Sequence, residues 1–336
     1  MRICFTATGS TRFTRRRPTI RMKLALSLLL ILALFACATM IRVENRRLAA
    51  YRAHPPEGQF IVVDGHPVHY VQMGEGPDLV LLHGASGSTR DWTFDIAPVL
   101  AESYRVTILD RPGLGYTPPL KPNGVTLSEQ TTLMVEAARA LGVENPVVAG
   151  QSFGGALVMN WAVYHPDHIS AAVSIAGATH PWPGGRDTLY ALLAQPVIGP
   201  IMAHVISAWL PEAYLEAQIN AVFAPNDPLP GYADYIGAGM ILLPEQFKAN
   251  AQQRHELLHH LEEQQPRYAD VEIPVEVIHG DADTTVGLSV HSEPLVEEVQ
   301  NGNLTVLDGV GHMPHHVEMA ETIAAIDRAA LRAGVK

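Results

Sequence analysis

Five short, mostly apolar runs, each ending in a loop rich in glycine or acid, constrain this chain more than any other feature. They are "DLVLLHGASG" at 78–87, "RVTILDRPGLG" at 105–115, "PVVAGQSFGG" at 146–155, "VEVIHGDAD" at 275–283 and "NLTVLDGVGH" at 303–312. A strand on a half-exposed sheet alternates apolar and polar residues, whereas near-continuous apolar runs belong to strands covered on both faces, as in a parallel sheet. "ISAAVSIAGA" at 169–178 reads as one more such strand. Helical periods lie between the runs: "SEQTTLMVEAARALGV" at 128–143, with Ser128 as its start signal, "GGALVMNWAVYHPD" up to Pro166, and the closing "VEMAETIAAIDRAALRA". Ahead of them, "QFIVVDGHPVHYVQMG" reads as two strands turning at Asp64-Gly65. Strand and helix in alternation predict an α/β fold with a mainly parallel sheet.

Between 179 and 270 the alternation stops, and proline, aliphatic residues and helical periods take over. The chain therefore divides into a basic tail with an apolar segment (1–50), a first part of the core (51–178), a helical insertion expected over the carboxyl end of the sheet (179–270), and the rest of the core (271–336). With 336 residues, 47% of them hydrophobic, there is enough for one large core.

Residues 24–41, "LALSLLLILALFACATMI", carry no charge over eighteen positions, the lower edge of what spans a bilayer. Seven basic residues and no acid precede them, so the segment reads as a membrane anchor or signal. "LFAC" at 34–37 also resembles a lipoprotein cleavage box with Cys37 as the lipidated residue, although Phe35 is bulky for it, and an uncleaved anchor is preferred. Met22 is an alternative start. With the long basic tail the body is expected to be exported; starting at Met22, Arg42, Arg46 and Arg47 argue weakly for the opposite. Residues 1–47 hold ten Lys/Arg and one acid, a net of +9, which leaves the remainder at −20 of the total −11. So acidic a body repels phosphate backbones, and no nucleic-acid partner is expected. Both cysteines, Cys4 and Cys37, lie in the N-terminal segment, so the body has neither a disulfide nor cysteine chemistry. Oligomeric state has no signal in the sequence.

Ligands of an open α/β sheet bind at the carboxyl ends of its strands, and four groups with chemical capability fall there. Gly150-Gln151-Ser152-Phe153-Gly154 is a G-x-S-x-G between strand and helix, the turn that exposes a nucleophilic serine, with Gly150 and Gly154 permitting close packing. His83-Gly84-Ala85-Ser86-Gly87 could turn the Ala85 N–H toward the same point as the Phe153 N–H, giving an oxyanion hole. Asp281 and Asp283 end a later strand, and His312 follows Gly311 beyond the last. Serine, acid and histidine thus occur in the chain order of a nucleophile, an orienting acid and a base.

On "HGASGS", "DRPGLGYT", "GQSFGG", "HGDADTTV" and "GVGHMPHHVE", in this order over about residues 59–333, the chain resembles the serine α/β-hydrolases that carry a cap. The resemblance implies Ser152 as nucleophile and His312 as general base. The family's G-x-x-D spacing, counted from Gly280, implies Asp283 as the acid, with Asp281 in reserve. His315 and His316 are expected to be loop residues. The serine argues against the dehalogenase and epoxide hydrolase branches, which use aspartate there. Carbon–carbon bond hydrolases stay open, though their usual "HGxGPG" loop is absent.

"HELLH" at 255–259 matches a zinc-protease helix. Among sixteen histidines, and flanked by "QQR" and "HLEEQQ", it reads instead as a solvated helix face. No metal and no organic cofactor is expected. From Arg186 to Lys248 the insertion has no basic residue between those two, but it holds Asp187, Glu212, Glu216, Asp227, Asp234 and Glu245. An acidic, mostly apolar lid suits an uncharged lipophilic small molecule. The expectation is carboxylic-ester hydrolysis, with lactone, amide and carbon–carbon cleavage as alternatives, and a non-catalytic ligand-binding relative as the other class.

Overall fold

The computed structural model describes residues 19–122, 124–183 and 188–336, without the Glu212 side chain. The basic tail through residue 18, with Cys4, and also Arg186 and Asp187 lie outside the described residues. Eight strands, β1 Gln59–Val63, β2 His66–Met73, β3 Asp78–Leu82, β4 Arg105–Leu109, β5 Val147–Gln151, β6 Ala171–Ile175, β7 Val275–Gly280 and β8 Gly302–Leu307, form one sheet. Its order is β1-β2-β4-β3-β5-β6-β7-β8. The β1–β2 and β2–β4 pairs are antiparallel and all others parallel. The hairpin turns where the sequence placed it, with Asp64 and Gly65 both at positive φ (49° and 81°).

The helices in chain order are α1 Ile20–Ala53, α2 Thr89–Thr93, α3 Ile96–Leu100, α4 Leu127–Ala140, α5 Phe153–Tyr164, α6 Thr188–Ala194, α7 Ile198–Trp209, α8 Glu212–Phe223, α9 Tyr232–Tyr235, α10 Pro244–Gln264, α11 Leu288–Glu298, α12 Pro314–Val317 and α13 Met319–Ala333. Alternate residues of β3 show why its run is apolar throughout. Val80 and Leu82 enter a core with Leu133, Met134, Leu157 and Trp161 of α4 and α5. Leu79 and Leu81 enter a second core on the other face, with Trp92, Ile96, Ile326 and Ala329. Both faces are sealed, as continuous apolar strands require.

Helix α4 begins earlier than expected. Thr126, not Ser128, caps it: the Thr126 hydroxyl accepts from Glu129 N, and the Glu129 carboxylate accepts from Thr126 N in return. Two reciprocal bonds at the free N–H groups of the first turn outweigh the single one that Ser128 offers. Helices α6 to α10 occupy the stretch between β6 and β7, which contains no strand among its described residues.

The apolar N-terminal segment belongs to a longer helix than expected. α1 spans 34 residues and runs on to Ala53. Its first half is exposed, while Thr39 and Val43 are buried. There the helix packs on α7: Phe35 stacks on Trp209 at 5.7 Å, and the Trp209 indole N–H donates to Thr39 Oγ1 at 3.0 Å. Arg42 Nε donates to Ala208 O (3.0 Å), and Arg46 to Ser207 O and to Leu210 O (2.9 Å).

His315 and His316, expected in a loop, form part of α12 and are buried. His316 Nδ1 lies 2.8 and 2.9 Å from the two Asp95 oxygens, and its Nε2 lies 3.2 Å from Asp91 Oδ1. His315 Nε2 is 3.3 Å from Asp91 Oδ2, and the Tyr232 hydroxyl donates to Asp91 Oδ1 at 2.6 Å. Burial disfavours the His316 cation, but the carboxylates of Asp91 and Asp95 more than offset it and raise its pKa to about 9. For Asp91, burial opposes the charge, yet the two imidazoles hold its pKa well below the usual carboxylate range. Helix α2, the segment just after His312 and the Tyr232 helix are thereby tied by charge in a dry site. A histidine pKa raised on folding gives stability that is complete below about pH 6.5 and is lost as pH rises through about 9. The melting temperature should therefore fall between pH 6.5 and 9.5 in the wild type, whereas His316→Gln should start lower and fall less. Parallel declines in the two proteins would contradict the assignment of charge to His316.

Candidate active site

Ser152 joins β5 to α5 with φ 54° and ψ −117°, a conformation rare for a residue with a side chain. Its N–H donates to Ile175 O (2.9 Å), and its carbonyl accepts from Gly155 N (2.9 Å) and Ala178 N (3.0 Å). The flanking glycines permit the crossing. A Cβ on Gly150 would sit 2.4 Å from Gly154 O, and one on Gly154 would sit 2.2 Å from Leu82 O. The positive end of the α5 dipole begins at Phe153, beside the serine.

The Ala85 and Phe153 N–H groups have no acceptor among the described residues. Their loop is held from two sides. His83 donates through Nδ1 to Gly84 O (2.9 Å) and accepts at Nε2 from Arg111 N (3.0 Å). Burial, aided by the Arg111 charge, lowers the His83 pKa to about 4, which keeps this ring neutral in that tautomer. From above, Asn250 of α10 accepts from Ser86 N (2.8 Å) and donates to Ser86 Oγ (2.9 Å).

Past β7, Asp283 Oδ2 lies 2.7 Å from His312 Nδ1. Asp283 Oδ1 accepts from Thr285 N (2.7 Å) and Val286 N (2.9 Å), while Oδ2 also lies 3.1 Å from His279 Nε2. Burial opposes the Asp283 charge, but these donors and His312 hold its pKa far below the ordinary carboxylate value. An ionised Asp283 fixes the His312 proton on Nδ1 and leaves Nε2 as the basic nitrogen. Asp281 sits elsewhere: it is exposed, and its Oδ1 accepts from Gly309 N at 2.8 Å, bracing a turn. The His312 loop is itself wedged. Gln151 Nε2 donates to His312 O (3.0 Å), Gly311 N donates to Asn226 Oδ1 (2.9 Å), and a Cβ on Gly311 would meet Ala224 O at 2.2 Å.

Ser152, Ala85, Phe153 and His312 line one cavity of about 790 Å³. Much of its remaining wall comes from the helices between β6 and β7, including Ile206, Leu210, Leu215, Ile219 and Val222. Three further groups that the residue pattern did not place there border the cavity. His291 accepts at Nδ1 from Thr179 N (3.2 Å) and His180 N (3.1 Å), so its proton is on Nε2. Burial lowers its pKa to about 4, and the neutral ring borders the cavity as a donor. Arg254 and His255 also border the cavity, so basic groups reach it from just past the stretch that lacks them. Arg254 is occupied: it donates to the Tyr190 hydroxyl at 2.8 Å and stacks on that ring.

The expected solvated face of "HELLH" is only partly so. His259 is exposed beside Glu262 and Glu263, but Leu257 and Leu261 are in the core and His255 turns to the cavity. Among the described residues, the three side chains placed closely enough to hold an ion are Asp91, His315 and His316, not the two histidines of that motif.

Residues 77–197 match the family model of the α/β hydrolase fold. A 2-hydroxy-6-oxo-6-phenylhexa-2,4-dienoate hydrolase from Comamonas testosteroni is 31% identical over 144 residues, 38% of this chain and 49% of that protein. The chain spans between 30% and 49% of the length of the first curated relatives it matches. Among solved structures, a serine hydrolase from Cycloclasticus zankles has TM-score 0.66 at 18% identity, covering 82% of this chain and 98% of that one. A membrane phospholipase A has TM-score 0.59 at 21% identity, covering 91% of this chain and 98% of that one. That share is more than residues 59–336 supply, so the likeness extends into α1. By its sheet order, its strand–serine–helix turn and these matches, the chain has the α/β-hydrolase fold.

Proposed function

We propose that the chain is a serine hydrolase that cleaves carboxylic esters of uncharged, lipophilic substrates through an acyl-enzyme. The observation that carries this is the 2.7 Å contact of His312 Nδ1 with an ionised Asp283, on the wall of the cavity that Ser152 also lines. His312 Nε2 takes the Ser152 hydroxyl proton as Oγ attacks the ester carbonyl carbon. The oxyanion is received by the Ala85 and Phe153 N–H groups, which are oriented before substrate arrives. Collapse expels the alcohol with the proton from Nε2–H. Water, deprotonated in turn by His312, then releases the acid and restores Ser152.

The apolar wall from α7 and α8 supports a lipophilic substrate. An anchoring role for α1 is supported by its exposed apolar half and by the extended likeness to a membrane phospholipase A, which also makes a lipid ester a fitting substrate. The helices between β6 and β7 act as the cap. Export of the body is part of this proposal, and lipidation at the exposed Cys37 is the alternative to an uncleaved anchor. Carbon–carbon bond cleavage, the activity named for the Comamonas relative, is the second reading, and a panel of p-nitrophenyl esters, lactones and dienoate ketones separates the two.

The contact with His312 supports Asp283 rather than Asp281 as the acid. Asp283→Asn should lower turnover of p-nitrophenyl butyrate by roughly 10³–10⁴-fold, because an amide no longer fixes the His312 tautomer. Asp281→Asn should stay close to wild type. Steady-state kinetics on both variants checks this, and a reversed ranking would transfer the role to Asp281.

A further inference from the structure

Helix α7 is apolar apart from the half-buried His204, whose Nδ1 lies 2.7 Å from Pro200 O, and the buried Ser207. Gly199, Ala203 and Ser207 are buried, while Ile206, with Leu210 just beyond the helix, lines the cavity. On the outward side, at three- and four-residue spacing, run Ile198, Ile201, the half-buried Val205 and Trp209. Ile198 is 50% exposed, Ile201 63% and Trp209 42%, with Val197 at 72% just before the helix. The water-facing side of a surface helix normally carries polar or charged residues, and a contiguous apolar stripe marks an interaction surface.

The position of the stripe identifies the occupant. Its last residue, Trp209, stacks on Phe35, the point at which α1 leaves the body and becomes exposed and apolar. The stripe is therefore continuous with the surface of the segment assigned above as the anchor. Trp209 has its indole N–H bonded to Thr39 and its ring under the Arg42 guanidinium at 4.5 Å. A half-exposed tryptophan with a satisfied N–H and a neighbouring arginine matches the boundary between headgroups and acyl chains. Helices α6 and α7 meet at a bend of 114°, so their connection forms an apex with Leu192, Val197 and Ile198 exposed around it.

We propose that the outer face of α7 rests in the interfacial layer of the same bilayer that α1 enters, making a second membrane contact built into the cap. This rests on the reading of α1 as an anchor. A helix seated in this way buries its apolar side about 5–10 Å into the boundary between headgroups and acyl chains. The inner side of the same helix is cavity wall, so a lipid ester passes from the leaflet to Ser152 along one helix without crossing water. The seat also holds the acidic body against a surface that its own charge would not seek.

The test uses the full-length chain reconstituted in phosphatidylcholine/phosphatidylglycerol vesicles, with Trp209→Phe as background. One added tryptophan, Ile201→Trp, reports on the stripe, and Glu321→Trp, at an exposed position of α13, serves as control. Lipids brominated near the headgroup end of the acyl chain quench tryptophan by contact, and flotation of the same samples reports anchoring. The proposal expects flotation, marked loss of Ile201→Trp emission and none beyond background for Glu321→Trp. Flotation with an unquenched Ile201→Trp overturns the α7 contact and leaves the anchor standing. An Ile201→Trp emission that is blue-shifted but unquenched points to a second copy of the chain on this face and also overturns it. Failure to float overturns both readings.

Discussion

The close crossing of β5 and α5 over β3 is the constraint on which the candidate site depends. Leu82 O, Gly150 and Gly154 meet at distances that no Cβ would tolerate. That contact forces the chain to turn at Ser152 through a backbone conformation costing on the order of 1–3 kcal/mol for a residue with a side chain. The surroundings sustain it: β5 lies in the middle of the sheet, α5 is buried along nearly its whole length, and the Ser152 main chain is bonded to β6 and to the loop after it. The strain holds Ser152 at the head of α5, on the wall of the cavity that Phe153 and His312 also line.

The remaining parts are each fixed from outside the sheet. Asn250 of α10 holds the Ala85 loop, Asn226 and the main chain at Phe223 and Ala224 wedge the His312 loop, and Tyr232 bonds Asp91 beneath α12. All of these come from the stretch between β6 and β7. That stretch is thus more than a cover, because removing it would leave the groups around Ser152 without their second support. It also carries α7, against which α1 docks, so one helix touches the cavity on one side and the N-terminal helix on the other.

Much of this was readable in the residues, and what was not has a common cause. Apolar runs identified β3 to β7 because strands covered on both faces are mostly apolar, and the same pattern identified β8, although it lies half exposed at the sheet edge. The G-x-S-x-G stretch identified the turn because only glycine fits the crossing, and the family spacing carried over by resemblance pointed to Asp283, the acid that contacts His312, whereas Asp281 braces a turn. Thr126 was missed because a cap is decided by reciprocal bonds rather than by residue type. His315, His316 and the inner side of α10 were misread because their partners, Asp91, Asp95 and the α5 core, lie far away in sequence. Asn250 and His291 left no mark, since a lone polar residue in a helix looks alike whether it faces water or a loop it must hold. The docking of α1 on α7 was hidden too, because Arg42 and Arg46 bond main-chain carbonyls, which every residue has.

The proposed mechanism depends above all on a nucleophilic Ser152, held by the strained turn and served by His312. A fluorophosphonate transfers its phosphonyl group to an activated serine with loss of fluoride, so intact-mass and peptide mapping of the labelled full-length protein tests this directly. One adduct per chain, located on Ser152, is expected. In Ser152→Ala the adduct should be absent and ester turnover should fall about 10⁴-fold or more, while Ser86→Ala should still label at Ser152. An adduct on any other residue, or a Ser152→Ala protein with near wild-type turnover, would contradict it.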